Sequence, residues 1–133
     1  MVRKVDLSIE AYEKRTGSER KPAGDAIAWV SHAPHGIVAV LGPFNFPGHL
    51  PNGHLVPALL AGNAAIFKPS EFAPAVGAFM GELWLEAGLP PGTLNVLQGG
   101  RATAETILDQ PGLEKTACPC YRVVADEYDR LLG

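Results

Sequence analysis

Apolar residues along this chain alternate between short continuous runs and stripes at helical spacing. The clearest run is Ile37-Val38-Ala39-Val40-Leu41. It is uncharged and rich in β-branched residues, the pattern of a strand buried on both faces. Gly42-Pro43 ends it, and Phe44-Asn45-Phe46-Pro47 follows as a stiff loop, because Pro43 and Pro47 each fix φ and restrict the preceding residue. From His49 to Ala61, Leu50, Leu55, Val56, Leu59 and Leu60 fit one buried helix face. Gly62-Asn63 is a helix-stop pair, and Ala64-Ala65-Ile66-Phe67 reads as a second strand with Lys68-Pro69-Ser70-Glu71 leaving its carboxyl end. A strand, a helix and a strand of these lengths make a right-handed parallel crossover.

The same pattern covers the flanks. Val5, Ile9 and Tyr12 predict an amphipathic helix over Lys4–Arg15. Thr16–Gly24 is polar and reads as a turn, Ala26–Val30 as a strand, and Ser31–His35 as the lead into the core strand. Pro74–Ala87 predicts a helix buried through Val76, Phe79, Met80, Leu83 and Trp84, stopped at Gly88. Thr93–Leu97 is a third β-rich run, Gly99-Gly100 a loop, and Ala102–Leu108 a short helix ending before Pro111. Alternating strands and helices with parallel connections define an α/β, doubly wound parallel sheet, of which about half is present.

Composition narrows the class. With 133 residues, 47% hydrophobic and 19% charged, the chain has enough apolar surface to fold as one domain. A formal net charge of −3 supplies no electrostatic footprint for nucleic acid or anionic lipid. No apolar run approaches the ~20 residues of a membrane span, and Val5-Asp6-Leu7-Ser8 is not the apolar core of a signal peptide. Two cysteines make no disulfide framework, which favours a reducing, cytoplasmic setting.

GPFNFP, the block PALLAGNAAIFKPSE and the later AGLPPGTLNVLQGG occur in that order. Together they resemble the cofactor-binding domain of the NAD(P)-dependent aldehyde dehydrogenase superfamily. The wording GPFNFPGHLPNGH resembles its branch acting on N-succinylglutamate 5-semialdehyde. The resemblance implies a partial Rossmann-like, NAD-binding domain over residues 1–114, with 115–133 a divergent tail. It also implies a small-molecule aldehyde as substrate and a homo-oligomer for full-length members. Such members are several times longer, so the chain resembles a fragment or an internally deleted version.

Oxidising an aldehyde requires a nucleophile, because a free aldehyde is a poor hydride donor, and the oxyanion formed needs a fixed hydrogen-bond donor. By resemblance that donor is the Asn45 carboxamide, on a loop at the carboxyl end of a buried strand, where open α/β sheets place ligands. Phe44, Lys68 and Glu71 are the implied cofactor contacts, the last two at the adenosine ribose, where a carboxylate accepts from hydroxyls. A carboxylate there favours NAD over NADP by repelling a 2′-phosphate. Read from residue type alone, Asn45 equally satisfies a loop, and Lys68 with Glu71 equally forms a solvated surface pair.

Cys118 in Cys-Pro-Cys-Tyr-Arg loosely resembles the segment around the family's nucleophile; the alternatives are an inert thiol or unrelated tail sequence. No metal site is expected: Cys118 and Cys120 lack completing ligands, and His49 and His54 are five apart, more consistent with exposed helix residues. The family's Glu-Leu-Gly-Gly general-base block and its pyrophosphate-binding Gly-Ser turn are not in the sequence. The readings are therefore a piece of an NAD-dependent semialdehyde dehydrogenase, a non-catalytic nucleotide-binding remnant, or an inert α/β interaction module.

Overall fold

The computed structural model of the chain describes residues 2–113. Its elements run α1 (Val2–Arg15), β1 (Glu19–Ala23), β2 (Ala26–Val30), β3 (Ile37–Leu41), α2 (His49–Leu60), β4 (Ala64–Lys68), α3 (Pro74–Glu86), β5 (Leu94–Val96) and α4 (Arg101–Leu108). Strands β3, β4 and β5 form a parallel sheet in that order, with Val40 opposite Phe67 and Phe67 opposite Val96. This is the expected α/β crossover architecture, a partial doubly wound sheet.

Period-two alternation along the strands puts Val38, Val40, Ala65, Phe67, Leu94 and Val96 on one face. Leu55 from α2 and Met80 from α3 pack into Val40, Ala65 and Phe67, with Val38, Leu59, Leu94 and Val96 around them. Two right-handed crossovers stepping in the same direction bring both helices to that face. Helix α4 returns to β3, and its Ile107 is buried outside this cluster.

The two crossover helices end in the same way. Gly62, at φ +84°, follows α2; its N–H donates to Leu59 O and that of Asn63 to Ala58 O, both arms of a Schellman motif. Gly88, at φ +90°, does the same for α3, with bonds to Leu85 O and, from Leu89, to Trp84 O. Asn63 also ties the turn to the sheet. Its Oδ1 accepts from Gly36 N at 3.0 Å and its Nδ2 donates to Ala58 O at 2.9 Å.

Three expectations from the sequence need correction. Strand β3 is not buried on both faces: Ile37 and Leu41 are 45% and 41% exposed, because the described residues cover that side of it only in part. Helix α3 buries Gly77 and Met80, while Val76, Phe79 and Leu83 are exposed. The small side of the helix is used because a β-carbon at Gly77 would collide with the Pro69 ring and one at Gly81 would lie 2.7 Å from Val96 Cγ2. Finally, Thr16–Gly24 is not all turn: Glu19–Ala23 pairs antiparallel with Ala26–Val30, Ala23 opposite Ala26. The two-residue Gly24-Asp25 link, with Gly24 at φ +64°, is a hairpin signal in its own right. It is easily missed because β1 does not alternate apolar with polar positions; every residue of both strands is exposed.

Candidate functional site

The carboxyl ends of β3 and β4 lie side by side, since Leu41 pairs with Lys68 and Gly42 N donates to Lys68 O at 2.8 Å. The loops leaving these ends carry Asn45 and Glu71. Gly42 is required by packing: a β-carbon there would sit 2.9 Å from the Phe67 ring and 3.0 Å from Pro51 Cγ. The two loops touch through an edge-to-face pair, Phe44 against Phe72, with ring centroids 6.1 Å apart.

Asn45 is exposed, and its Oδ1 accepts the Phe46 N–H at 3.1 Å. This bond fixes the carboxamide through its oxygen and leaves the NH₂ group as the outward donor, the polarity an oxyanion needs. Phe46 O in turn accepts from Leu50 N at 3.1 Å, so the loop runs straight into α2.

Lys68 is buried, not a solvated surface residue. Its Nζ donates to Gly99 O at 2.6 Å and to Pro69 O at 2.9 Å, and lies 3.5 Å from Glu71 Oε2. The side chains are 6% and 48% exposed respectively, so the ammonium is enclosed while the carboxylate faces outward. Three N–H bonds meet three acceptors. Lys68 thus clamps the exit loop of β4 to the Gly99-Gly100 loop that opens α4, and Glu71 offers the accessible acceptor. A hydrogen bond from its own backbone N–H, and secondarily the Lys68 ammonium, hold the Glu71 carboxyl below its ordinary range, against the opposing effect of desolvation. Ser70 shapes the turn, its Oγ accepting from Phe72 N at 3.2 Å.

Sequence reasoning thus located Asn45, Phe44, Lys68 and Glu71 at one end of the sheet; it missed the Gly99 carbonyl and Phe72. The Gly-Gly loop after the third strand was the available signal for the first. An exposed aromatic next to Glu71 was the signal for the second. Cys118 and Cys120 lie outside the described residues. His49 and His54 are exposed on α2, and no cluster of metal-ligating side chains occurs among the described residues. An ionised, outward carboxylate at the carboxyl end of parallel strands suits the vicinal hydroxyls of a ribose. The arrangement can therefore accept hydrogen bonds from a hydroxyl-bearing ligand.

Comparison with known proteins identifies relatives of the chain. Residues 1–118 match the model of the aldehyde dehydrogenase family. The chain is 57% identical over 114 residues to N-succinylglutamate 5-semialdehyde dehydrogenase of Ectopseudomonas mendocina (strain ymp), covering 86% of this chain and 23% of that protein. It is 54% identical over 114 residues to the protein of the same name from Yersinia pseudotuberculosis serotype IB (strain PB1/+), with the same coverage. The crystal structure of Mycobacterium tuberculosis aldehyde dehydrogenase complexed with NAD+ superposes with a TM-score of 0.70 at 30% identity, over 80% of this chain and 22% of that one. The chain spans about a quarter of the length of these relatives, 23% for the curated proteins. Matched over residues 1–118, most of its length, this chain belongs to the aldehyde dehydrogenase family.

Proposed function

We propose that the chain supplies part of the cofactor-binding domain of an NAD-dependent dehydrogenase that oxidises N-succinylglutamate 5-semialdehyde to N-succinylglutamate in arginine breakdown. The observation that carries this reading is the 57% identity over 114 residues to a protein of that name, across the segment bearing Asn45, Lys68 and Glu71. Residues 1–114 belong to that domain in this reading, and the divergent tail contributes Cys118 as the candidate nucleophile. The whole enzyme is a cytoplasmic homo-oligomer acting on a small-molecule aldehyde. No helix among the described residues is long and apolar enough to cross a membrane.

In this reading Asn45 Nδ2 donates to the oxyanion formed when a thiolate adds to the aldehyde carbon. One such donor is worth about 3–4 kcal/mol of barrier lowering. Glu71 accepts from the adenosine ribose, Lys68 holds Glu71 and the Gly99 loop in place, and Phe44 packs at the rim. NAD, when bound, accepts the hydride. The test uses the full-length enzyme containing this segment. Asn45→Ala should lower kcat by ~10²–10³-fold with the KM for NAD unchanged. An unchanged kcat, or no NAD reduction by the wild type with this semialdehyde, overturns the reading.

For the isolated chain a second reading is favoured by one observation. The Lys68–Glu71–Gly99 cluster is complete, while the general-base block is not in the sequence. The isolated chain should bind NAD weakly, lose that binding in Glu71→Gln, and turn over no aldehyde.

A further inference from the structure

Two consecutive residues of α2 are poor choices for a stable helix. Asn52 is buried with its Nδ2 unpartnered, and Gly53 sits in a helix interior, where glycine is the costliest residue after proline. Local choices that disfavour the fold are concentrated at functional positions. What Gly53 makes room for is Lys4 of α1. A β-carbon on residue 53 would collide with Lys4 Nζ and lie 2.8 Å from its Cε. Lys4 is only half-exposed, and its ammonium has no ion pair or side-chain hydrogen bond among the described residues. An ammonium lying against a glycine of α2 with no carboxylate beside it can pair with an anionic ligand.

Its place in the fold says which ligand. Gly53 lies four residues beyond His49, so the two share one face of α2 about one turn apart, ~5–6 Å. His49 meets the Phe46 ring edge-on at 6.5 Å, and Phe46 N is the donor that fixes Asn45. In chain order, Asn45 and Phe46 lead into α2, His49 opens its first turn, and Gly53, with the Lys4 ammonium against it, lies one turn further on. An aldehyde whose oxygen meets Asn45 Nδ2 and whose chain lies along the helix brings a carboxylate several bonds away toward Lys4. We infer that Lys4, seated over Gly53, recognises a carboxylate of an acylated amino-acid semialdehyde and so selects an anionic over a neutral aldehyde. This rests on the function proposed above, and it adds a specificity residue on α1, outside the motifs that carry the family resemblance.

The experiment compares kcat/KM of the full-length enzyme for N-succinylglutamate 5-semialdehyde and for butanal. In the wild type the anionic substrate should be strongly preferred. Lys4→Met should reduce that preference at least tenfold, through KM for the semialdehyde, while KM for NAD stays within twofold. Lys4→Arg should restore most of the preference. Gly53→Ala, which improves helix propensity while crowding Lys4, should lower the preference by several-fold without lowering the melting temperature. Equal losses on both aldehydes in Lys4→Met, or an unchanged preference, overturn the assignment; the first would make Lys4 a structural support of the α1–α2 contact. A wild type with no preference for the anionic substrate would instead count against the proposed function itself.

Discussion

The hairpin β1–β2 and the sheet β3–β4–β5 use strands of similar length to opposite ends. Every residue of the hairpin is exposed, including Ile27 and Trp29 at 72% and 59%. In the sheet, Val40, Ala65 and Phe67 are at or below 5% exposure. The hairpin is held by its backbone ladder, by Arg20 stacked 4.9 Å over Trp29, and by an exposed Lys21–Glu19 pair. The sheet is held by two crossover helices that dry one face. Strand pairing alone makes a ribbon, and a two-stranded ribbon is marginal in water; burial of one face makes a domain.

Truncation measures the contrast most directly. Phe67→Ala should destabilise the chain by about 3–5 kcal/mol in urea unfolding, whereas Trp29→Ala should cost less than ~1 kcal/mol. Comparable losses at the two sites would mean that the hairpin is buried against something in solution. Next in size is the clamp. Lys68→Met leaves two carbonyls without their donor and should cost about 2–3 kcal/mol, with faster amide exchange around Gly99. Gly77→Ala should cost about 1–3 kcal/mol, despite its better helix propensity, because the Pro69 ring occupies the site; a gain in stability would show that α3 can slide away from the sheet. The smallest effect is a pH dependence. The folded Glu71 carboxyl titrates below its ordinary value of 4.5, so its contribution is fully present above about pH 4.5. It is lost as pH falls through the lower, folded value. The stability difference between wild type and Glu71→Gln should therefore be flat at neutral pH and vanish in acid.

The parallel half of the fold was legible because its signals reinforce one another. An uncharged run at Ile37–Leu41, glycine stops at Gly62 and Gly88 and a proline-bracketed loop all specify the same crossover. The hairpin was legible only in its second strand, the apolar run Ala26–Val30; β1, Glu19–Ala23, is mostly polar and only Gly24-Asp25 marked its pairing. The buried face of α3 was misjudged for a related reason. Hydrophobicity favours Phe79 and Leu83, but close approach to Pro69 and Val96 demands Gly77 and Gly81, and backbone proximity has no hydropathy signature. At the site, the family resemblance pointed to Asn45, Lys68 and Glu71, which residue type alone left open. That Lys68 turns inward to carbonyls 1 and 31 residues away depends on tertiary placement.

The outer margin of β3 has one more consequence. Among the described residues nothing pairs with it, and Ile37–Leu41 carries no charge, proline or bulge to discourage a newcomer. Such a margin templates backbone bonding with any extended segment it meets. Handled alone, the chain should therefore scatter light increasingly with concentration, and a lysine substituted for Leu41 should keep it clear.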